Sequence, residues 1–357
     1  MRQAAWLLAS LVVALSLPGC AGQKAVLTDY LPDSATPVVE LRQTPFFPQS
    51  EYQCGPAALA TVLVASGVNV TPEELVDQVY LPERKGSLQA EILASARRHG
   101  RLTYVLDPEL SALIAELHAG RPVLVLLNLA LDLLPAWHYA VVIGYDTGTD
   151  TVLLRSGTQE RRTMPANRFL SSWRKANYWA VVTLEPGAMP VAVDSQRYVQ
   201  AAAGLERAGR PQAARNAYTA AVKRWPDYPA ALFGLGNAEY ALGRFEAAKR
   251  AYLLLLRKDP GYVPGWNNLA TLLSERGCTD PALRSVEQAL RRAPGDSPFR
   301  ETLETTRREI LERQRTGAEN GSDCLRSLPG EDLKEHEPEV SMQNLPGIEP
   351  VTRNPFT

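Results

Sequence analysis

The sequence has few residues that can ligate a metal or form a disulfide scaffold. Only four cysteines (Cys20, Cys54, Cys278 and Cys324) and four histidines occur in 357 residues. No Cys-x-x-Cys or His-Glu-x-x-His spacing is present, so neither a metal site nor a cofactor is predicted. The formal net charge is −1 and no basic run occurs, which argues against a nucleic-acid partner.

The N-terminus has the pattern of a bacterial secretory signal. One arginine precedes the apolar segment Ala4–Leu17, which is short for a membrane span. The sequence Leu17-Pro18-Gly19-Cys20 resembles the lipoprotein processing box. This resemblance predicts a signal peptide over 1–19, a lipid on Cys20 and a tether over 20–38. It implies a membrane attachment through the lipid, at the outer membrane facing the periplasm. The alternatives are an ordinary cleaved signal and an uncleaved anchor.

Cys54 stands at the start of an apolar run that predicts a buried helix. Gly55 and Pro56 suit the first turn, where proline loses no intrahelical hydrogen bond. Unpaired amides and the helix dipole would favour the thiolate of Cys54, which is the nucleophilic form of cysteine. The alternative is an inert core cysteine, because free cysteine is among the most buried residues.

Of the four histidines, only His138 stands where a catalytic base is expected. It opens a run of aromatic and β-branched residues that predicts a strand. His99 and His118 end helical runs, where the dipole favours them. His336 lies in the segment 316–357, whose composition predicts a disordered tail.

The Gln-x4-Cys-Gly-Pro-Ala-Ala-Leu pattern and the later His-Tyr-Ala-Val-Val-x-Gly-Tyr-Asp run resemble one peptidase family. It is the papain-like peptidase domain that removes double-glycine leaders from bacteriocin precursors, and the resemblance covers residues 39–187. It implies an α+β fold, with a helical lobe packed on an antiparallel sheet. It also implies hydrolysis of a peptide or protein substrate, with Cys54 as nucleophile, His138 as base and Gln49 as oxyanion donor.

Two positions depart from the family pattern. The exporter-linked members usually place the oxyanion glutamine one residue further from the cysteine than Gln49 lies. Family members carry an aspartate at the end of the strand after the histidine strand. Here that place reads Leu154-Arg155-Ser156-Gly157, without a carboxylate. Ser156 or a backbone carbonyl is then the candidate that orients the imidazole. The departure motivates a second hypothesis, a non-catalytic scaffold that binds peptides, and a third is acyl transfer to an amine.

Residues 195–315 carry a repeat with a period of 34. Pro226, Pro260 and Pro294 share this spacing, and glycines and alanines repeat in the same register. The pattern is the tetratricopeptide signature and predicts an all-α solenoid of three repeats with a final capping helix. A short linker over 188–194 would precede it. The repeats predict a groove for a protein partner; the alternative is a spacer.

Two interpretations are open for the cysteines that lie outside the signal peptide and the predicted Cys54 helix. Cys278 and Cys324 would pair in an oxidising compartment, or both would be free thiols.

Overall fold

The computed structural model describes residues 26–31, 36–49 and 53–316. They form two compact units. The first holds the residues up to 184 except 100–102, together with 190–192, and the second holds the remainder. The expectations for the signal peptide, Cys20, Cys324, His336 and the tail fall outside the described residues.

The first unit combines a sheet with five helices among its described residues. The strands are β1 (Val38–Glu40), β2 (Tyr80–Leu81), β3 (Gly86–Ser87), β4 (Leu102–Val105), β5 (Val123–Asn128), β6 (Trp137–Asp146), β7 (Thr151–Ser156), β8 (Gln159–Pro165) and β9 (Ala180–Leu184). The helices are α1 (Cys54–Ala65), α2 (Pro72–Val79), α3 (Gln89–Arg98), α4 (Leu110–His118) and α5 (Ala166–Arg174).

Seven of these strands form one sheet, in the order β4-β9-β5-β6-β7-β8, with β1 beside β6. Strand β6 is central because it pairs antiparallel with β5 along its first half and with β7 and β1 along its second half. Strands β2 and β3 form a separate hairpin. The predicted combination of helices and an antiparallel sheet is confirmed.

Helix α1 packs on the centre of this sheet. Its residues from Gly55 to Leu63 are all buried, as expected for a helix that is apolar all round. Five of them, between Ala58 and Leu63, share one core with Tyr139, Val141 and Ile143, which alternate along β6 toward the helix. The start of α1 is thereby held against the start of β6.

Strand β8 is absent from the sequence-based prediction. It reads Gln-Glu-Arg-Arg-Thr-Met-Pro, lacks the apolar alternation of a half-buried strand, and lies at the edge of the sheet. Charged residues are common on edge strands because they discourage pairing with other chains. The periodicity that reveals β5 and β6 is therefore missing here.

The chain enters the first unit at the turn between β6 and β7. The backbone amides of Val26 and Leu27 donate to Asp150 Oδ1 at 3.0 and 2.9 Å. Leu27 is only 1% exposed and begins a short 3-10 helix, Leu27–Tyr30. The expected tether over 20–38 is thus wrong in part, because at least this stretch packs on the domain.

The second unit is a run of helices. They are α6 (Ser195–Arg207), α7 (Pro211–Arg224), α8 (Pro229–Ala241), α9 (Phe245–Lys258), α10 (Val263–Glu275), α11 (Thr279–Arg292) and α12 (Arg300–Arg315). Successive helices pack pairwise, and α12 closes the run against α11 and α10. Leu303 and Ile310 are its buried residues. The predicted helical repeats are confirmed, together with a final helix that starts at Arg300.

The small residues of the repeats let paired helices approach closely. A Cβ on Gly236 in α8 would stand 2.3 Å from a ring carbon of Tyr252 in α9. That ring is buried, so it has little room to move. Within the described ranges, no helix is long and apolar enough to span a membrane.

Cys278 is disulfide-bonded in this structure. Since Cys324 lies outside the described residues, the pairing of these two cysteines stays a prediction.

The contact between Gly236 and Tyr252 can be tested by Gly236→Ala. The added methyl group overlaps the buried ring, so the variant should destabilise the second unit by about 1–3 kcal/mol. Urea denaturation, followed by amide exchange in α8 and α9, measures this. The control is Gly295→Ala, where a Cβ meets nothing within 4 Å. Equal stability of the two variants would contradict the packing argument.

Candidate active site

The first turn of α1 carries Cys54, whose side chain is partly exposed. The next residue, Gly55, lies under the β2–β3 hairpin, and a Cβ there would stand 2.1 Å from Ser87 Oγ. Glycine therefore allows the hairpin to cover the helix start, so that Cys54 lies at its edge.

His138 lies at the start of β6, directly before a residue that contacts the cysteine. The backbone amides of Tyr139, Gly55 and Cys54 hydrogen-bond the Cys54 sulfur. The Tyr139 hydroxyl donates to the backbone oxygen of Ser87 at 3.3 Å. The start of β6 is thus fixed between α1 and β3.

The β7–β8 hairpin brings Ser156 next to His138 and Gly157 next to Gln49. Ser156 Oγ lies 2.8 Å from His138 Nε2, in the position where the family resemblance implies a carboxylate. Gly157 makes the tight turn with φ of 63°, which glycine adopts without strain. Its backbone oxygen accepts from the amide of Gln49 at 3.0 Å. Gln49 is thereby attached to the residue that follows Ser156.

Arg155 supports the same region from inside the domain. It is buried, and its guanidinium donates to the backbone oxygens of Thr44, Arg42 and Glu160. The segment that leads to Gln49 is therefore anchored on β7. This role could not be predicted from the sequence, because nothing in the local pattern distinguishes Arg155 from a solvated arginine.

Cys54, His138 and Gln49 line one cleft of about 960 Å³. Arg84, Lys85 and Lys175 also line it, and within the described ranges none of its lining residues is an aspartate or a glutamate. The cleft therefore presents positive charge. Trp137, the first residue of β6, also lines the cleft and is 53% exposed. The β5–β6 connection before it carries three exposed leucines: Leu131, Leu133 and Leu134.

The structure corrects the expectation of a thiolate. Burial raises the pKa of the Cys54 thiol, and the three backbone hydrogen bonds only oppose this effect. Burial, with the nearby Arg162 cation, lowers the pKa of His138 to about 4. At neutral pH the site therefore holds a thiol and a neutral imidazole.

The other described histidines lie outside the cleft. His118 Nε2 is 2.7 Å from the hydroxyl of Tyr145, and His99 Nε2 is 3.4 Å from the side-chain nitrogen of Gln78. Across the described ranges, no group of three or more His, Cys, Asp or Glu could hold a metal ion. The structure brings the sequence-predicted residues together, while their catalytic roles stay predictions.

Two family models match this chain. Residues 41–181 match the peptidase C39-like family, and residues 197–263 match a tetratricopeptide repeat. The chain thus carries a peptidase C39-like domain followed by tetratricopeptide repeats. No curated protein matches it.

Solved structures resemble parts of the chain. A C39-like peptidase from Bacillus anthracis is 17% identical with a TM-score of 0.36, over 41% of this chain and 97% of that one. A double glycine motif protease from an AMS/PCAT transporter, in complex with the leader peptide, is 18% identical with a TM-score of 0.30, over 40% and 91%. A type III secretion translocator chaperone from Yersinia enterocolitica is 16% identical with a TM-score of 0.33, over 35% and 88%.

The lowered pKa of His138 predicts an acid-sensitive domain. As the pH falls from 6.5 to about 4, the unfolded chain binds a proton at His138 and the folded chain does not. The free energy of unfolding should therefore fall by about 3 kcal/mol between pH 6.5 and pH 4 because of His138, and this residue should cause no loss above pH 6.5.

The measurement is the free energy of unfolding of the first unit against pH, from amide exchange in β5 and β6. His138→Gln should lose less stability over this interval than the wild type. Parallel curves for the two proteins would contradict the lowered pKa.

Proposed function

We propose that the first unit is a cysteine peptidase that hydrolyses a peptide bond in a peptide or protein substrate. The observation that carries this proposal is a cleft that Cys54, His138 and Gln49 line together, within the region that matches the C39-like family. A nucleophile at a helix start and a base on an adjacent strand form the pair that thiol acyl chemistry requires.

The reaction would proceed through a thioester. Cys54 Sγ attacks the substrate carbonyl while His138 takes the thiol proton, and the imidazolium then gives that proton to the leaving amine. Water, activated by His138, hydrolyses the thioester. The Gln49 side-chain amide and the backbone amides at the sulfur would donate to the oxyanion. Because the resting pair is neutral, the proton transfer must accompany the attack.

A catalytically inactive, peptide-binding domain is the second candidate. The observation in its favour is the hydroxyl of Ser156, which contacts His138 where the family pattern has a carboxylate. An imidazolium formed there would be disfavoured by burial and by Arg162. In this candidate the cleft holds a peptide and the repeats carry the function.

The second unit would recruit the substrate or a protein partner. This proposal is supported by the repeat match over 197–263 and by a stack of six helices with a closing helix, the usual frame of an extended binding surface. The signal-like N-terminus and Cys20 support a lipid-anchored protein of the cell envelope, facing the periplasm.

The peptidase function predicts a graded set of defects in the full chain. With a peptide library as substrate, Cys54→Ala and His138→Ala should lower cleavage by about a thousandfold or more. Gln49→Ala should lower it by about 100- to 1000-fold, as expected for one oxyanion donor. Mass spectrometry of the new termini measures each rate.

The matched control is His99→Ala, because His99 does not line the cleft and should leave the rate unchanged. If the wild type binds library peptides without cleaving them, the second candidate is correct. Cleavage that persists in Cys54→Ala would exclude this site as its origin.

A further inference from the structure

A tight turn over residues 173–178 ends helix α5 beside the cleft. The backbone amide of Asn177 donates to the backbone oxygen of Arg174 at 2.9 Å, and the amide of Tyr178 donates to the backbone oxygen of Trp173 at 3.0 Å. Asn177 has a φ of 52° and Tyr178 one of 53°. These two hydrogen bonds define a Schellman motif, in which the residue after the helix cap adopts the left-handed conformation. Asn177 occupies that position.

The turn is fixed on two sides. Trp173 is fully buried, its indole nitrogen donates to the backbone oxygen of Trp179 at 3.0 Å, and its ring meets that of Tyr178 edge to face. On the other side, Lys175 Nζ donates to the backbone oxygen of Ala130 at 2.7 Å. The backbone of the turn is therefore held both by the core and by the β5–β6 connection.

The side chain of Asn177 is not needed to make this turn. Glycine adopts the left-handed conformation more readily than asparagine does, and it is the commonest residue at this position of the motif. Asn177 is exposed, and its carboxamide forms no hydrogen bond with the residues that the structure describes. Its two N–H donors and its oxygen are thus available to a ligand.

Asn177 belongs to the lining of the cleft that holds the candidate nucleophile and base. It lines this cleft together with Cys54 and His138. Among the described residues, three of the four non-glycine residues with positive φ lie in the cleft lining or directly beside it: Lys85, Asn177 and Tyr178. Such backbone conformations cluster at active sites and ligand-binding sites, where the surrounding structure holds them in place. Because Asn177 is both exposed and part of the lining, a ligand in the cleft can reach its carboxamide.

A carboxamide is complementary to the main chain of a peptide. It has one acceptor oxygen and two N–H donors in one plane. A residue of an extended peptide presents its own N–H and C=O to the same side, as it does when two strands exchange a pair of hydrogen bonds. The two groups can therefore form two hydrogen bonds that do not depend on the side chains of the peptide.

We propose that Asn177 binds the main chain of an extended peptide in the cleft. Asn177 Oδ1 accepts from a backbone N–H of the ligand, and Nδ2 donates to the C=O of the same ligand residue. The proposal rests on the proposed function, because it concerns the ligand of the same cleft. Since the contact reads the backbone, it admits peptides of different sequence.

The experiment follows the side-chain NH2 signal of Asn177 by NMR in the full chain carrying Cys54→Ala, which keeps the peptide intact. Asn177→Asp, which lacks the NH2 group, identifies the signal. The probe is acetyl-Ala-Ala-Ala-Ala-amide, and its counterpart has N-methylalanine at each position. The unmodified peptide should shift the signal in a saturable manner. The methylated peptide should not, because its main chain has lost these N–H donors.

Asn177→Gly separates ligand binding from folding. Glycine keeps the left-handed turn, so the melting temperature should equal or exceed that of the parent chain. The dissociation constant of the unmodified peptide, followed at the indole signal of Trp137 in the cleft lining, should rise about tenfold with the loss of two hydrogen bonds. The matched control is Asn69→Gly, since Asn69 is exposed but does not line the cleft. It should keep the parent constant.

Three results would overturn the proposal. They are an Asn177 signal that neither peptide shifts, an equal shift with the methylated peptide, and an unchanged dissociation constant in Asn177→Gly. The first two are measured on the parent chain, so they do not depend on the folding of the glycine variant.

The two proposals can fail separately. A chain with Cys54 intact that binds the peptide at Asn177 but cleaves no peptide keeps the main-chain contact and rejects the peptidase. Peptide cleavage that depends on Cys54, with the same KM in Asn177→Gly as in the wild type, keeps the peptidase and rejects the contact.

Discussion

The register of the β7–β8 hairpin is the constraint on which the candidate site depends. Its turn places Ser156 against His138 and Gly157 against the backbone of Gln49, while Arg155 anchors the segment that leads to Gln49. A slip of one residue would turn the side chains of Arg155 and Ser156 to the opposite faces of the sheet. The pairing shifts between Leu154 and Ser156, so the local geometry of the site is set by this irregularity.

Desolvation decides the protonation of the resting site. The helix start and three backbone amides favour a thiolate at Cys54, yet burial outweighs them. The same burial keeps His138 neutral. Burial thus disfavours both the thiolate of Cys54 and the imidazolium of His138, because a charge costs free energy in a medium of low polarity.

The sequence was sufficient to predict which residues meet, but it could not predict their charge state. Cys54 precedes a continuous apolar run and His138 opens a run of aromatic and β-branched residues, so the helix and the strand that carry them follow from the sequence. The raised pKa of the Cys54 thiol depends on how deeply the start of α1 is buried. The sequence around Gly55 does not indicate that depth. Arg155 and Arg162 were missed because their roles depend on the register of β8, a charged edge strand without apolar alternation.

The attachment of the chain at Asp150 also fixes an orientation. His138 begins β6 and Asp146 ends it, so the cleft and the β6–β7 turn are about 27 Å apart along the strand. Cys20 precedes Val26 by six residues, a stretch that covers at most ~21 Å when fully extended. A lipid on Cys20 would therefore attach the domain to the bilayer near its β6–β7 turn. The cleft, at the other end of β6, would then face away from the bilayer and be accessible to ligands from solution.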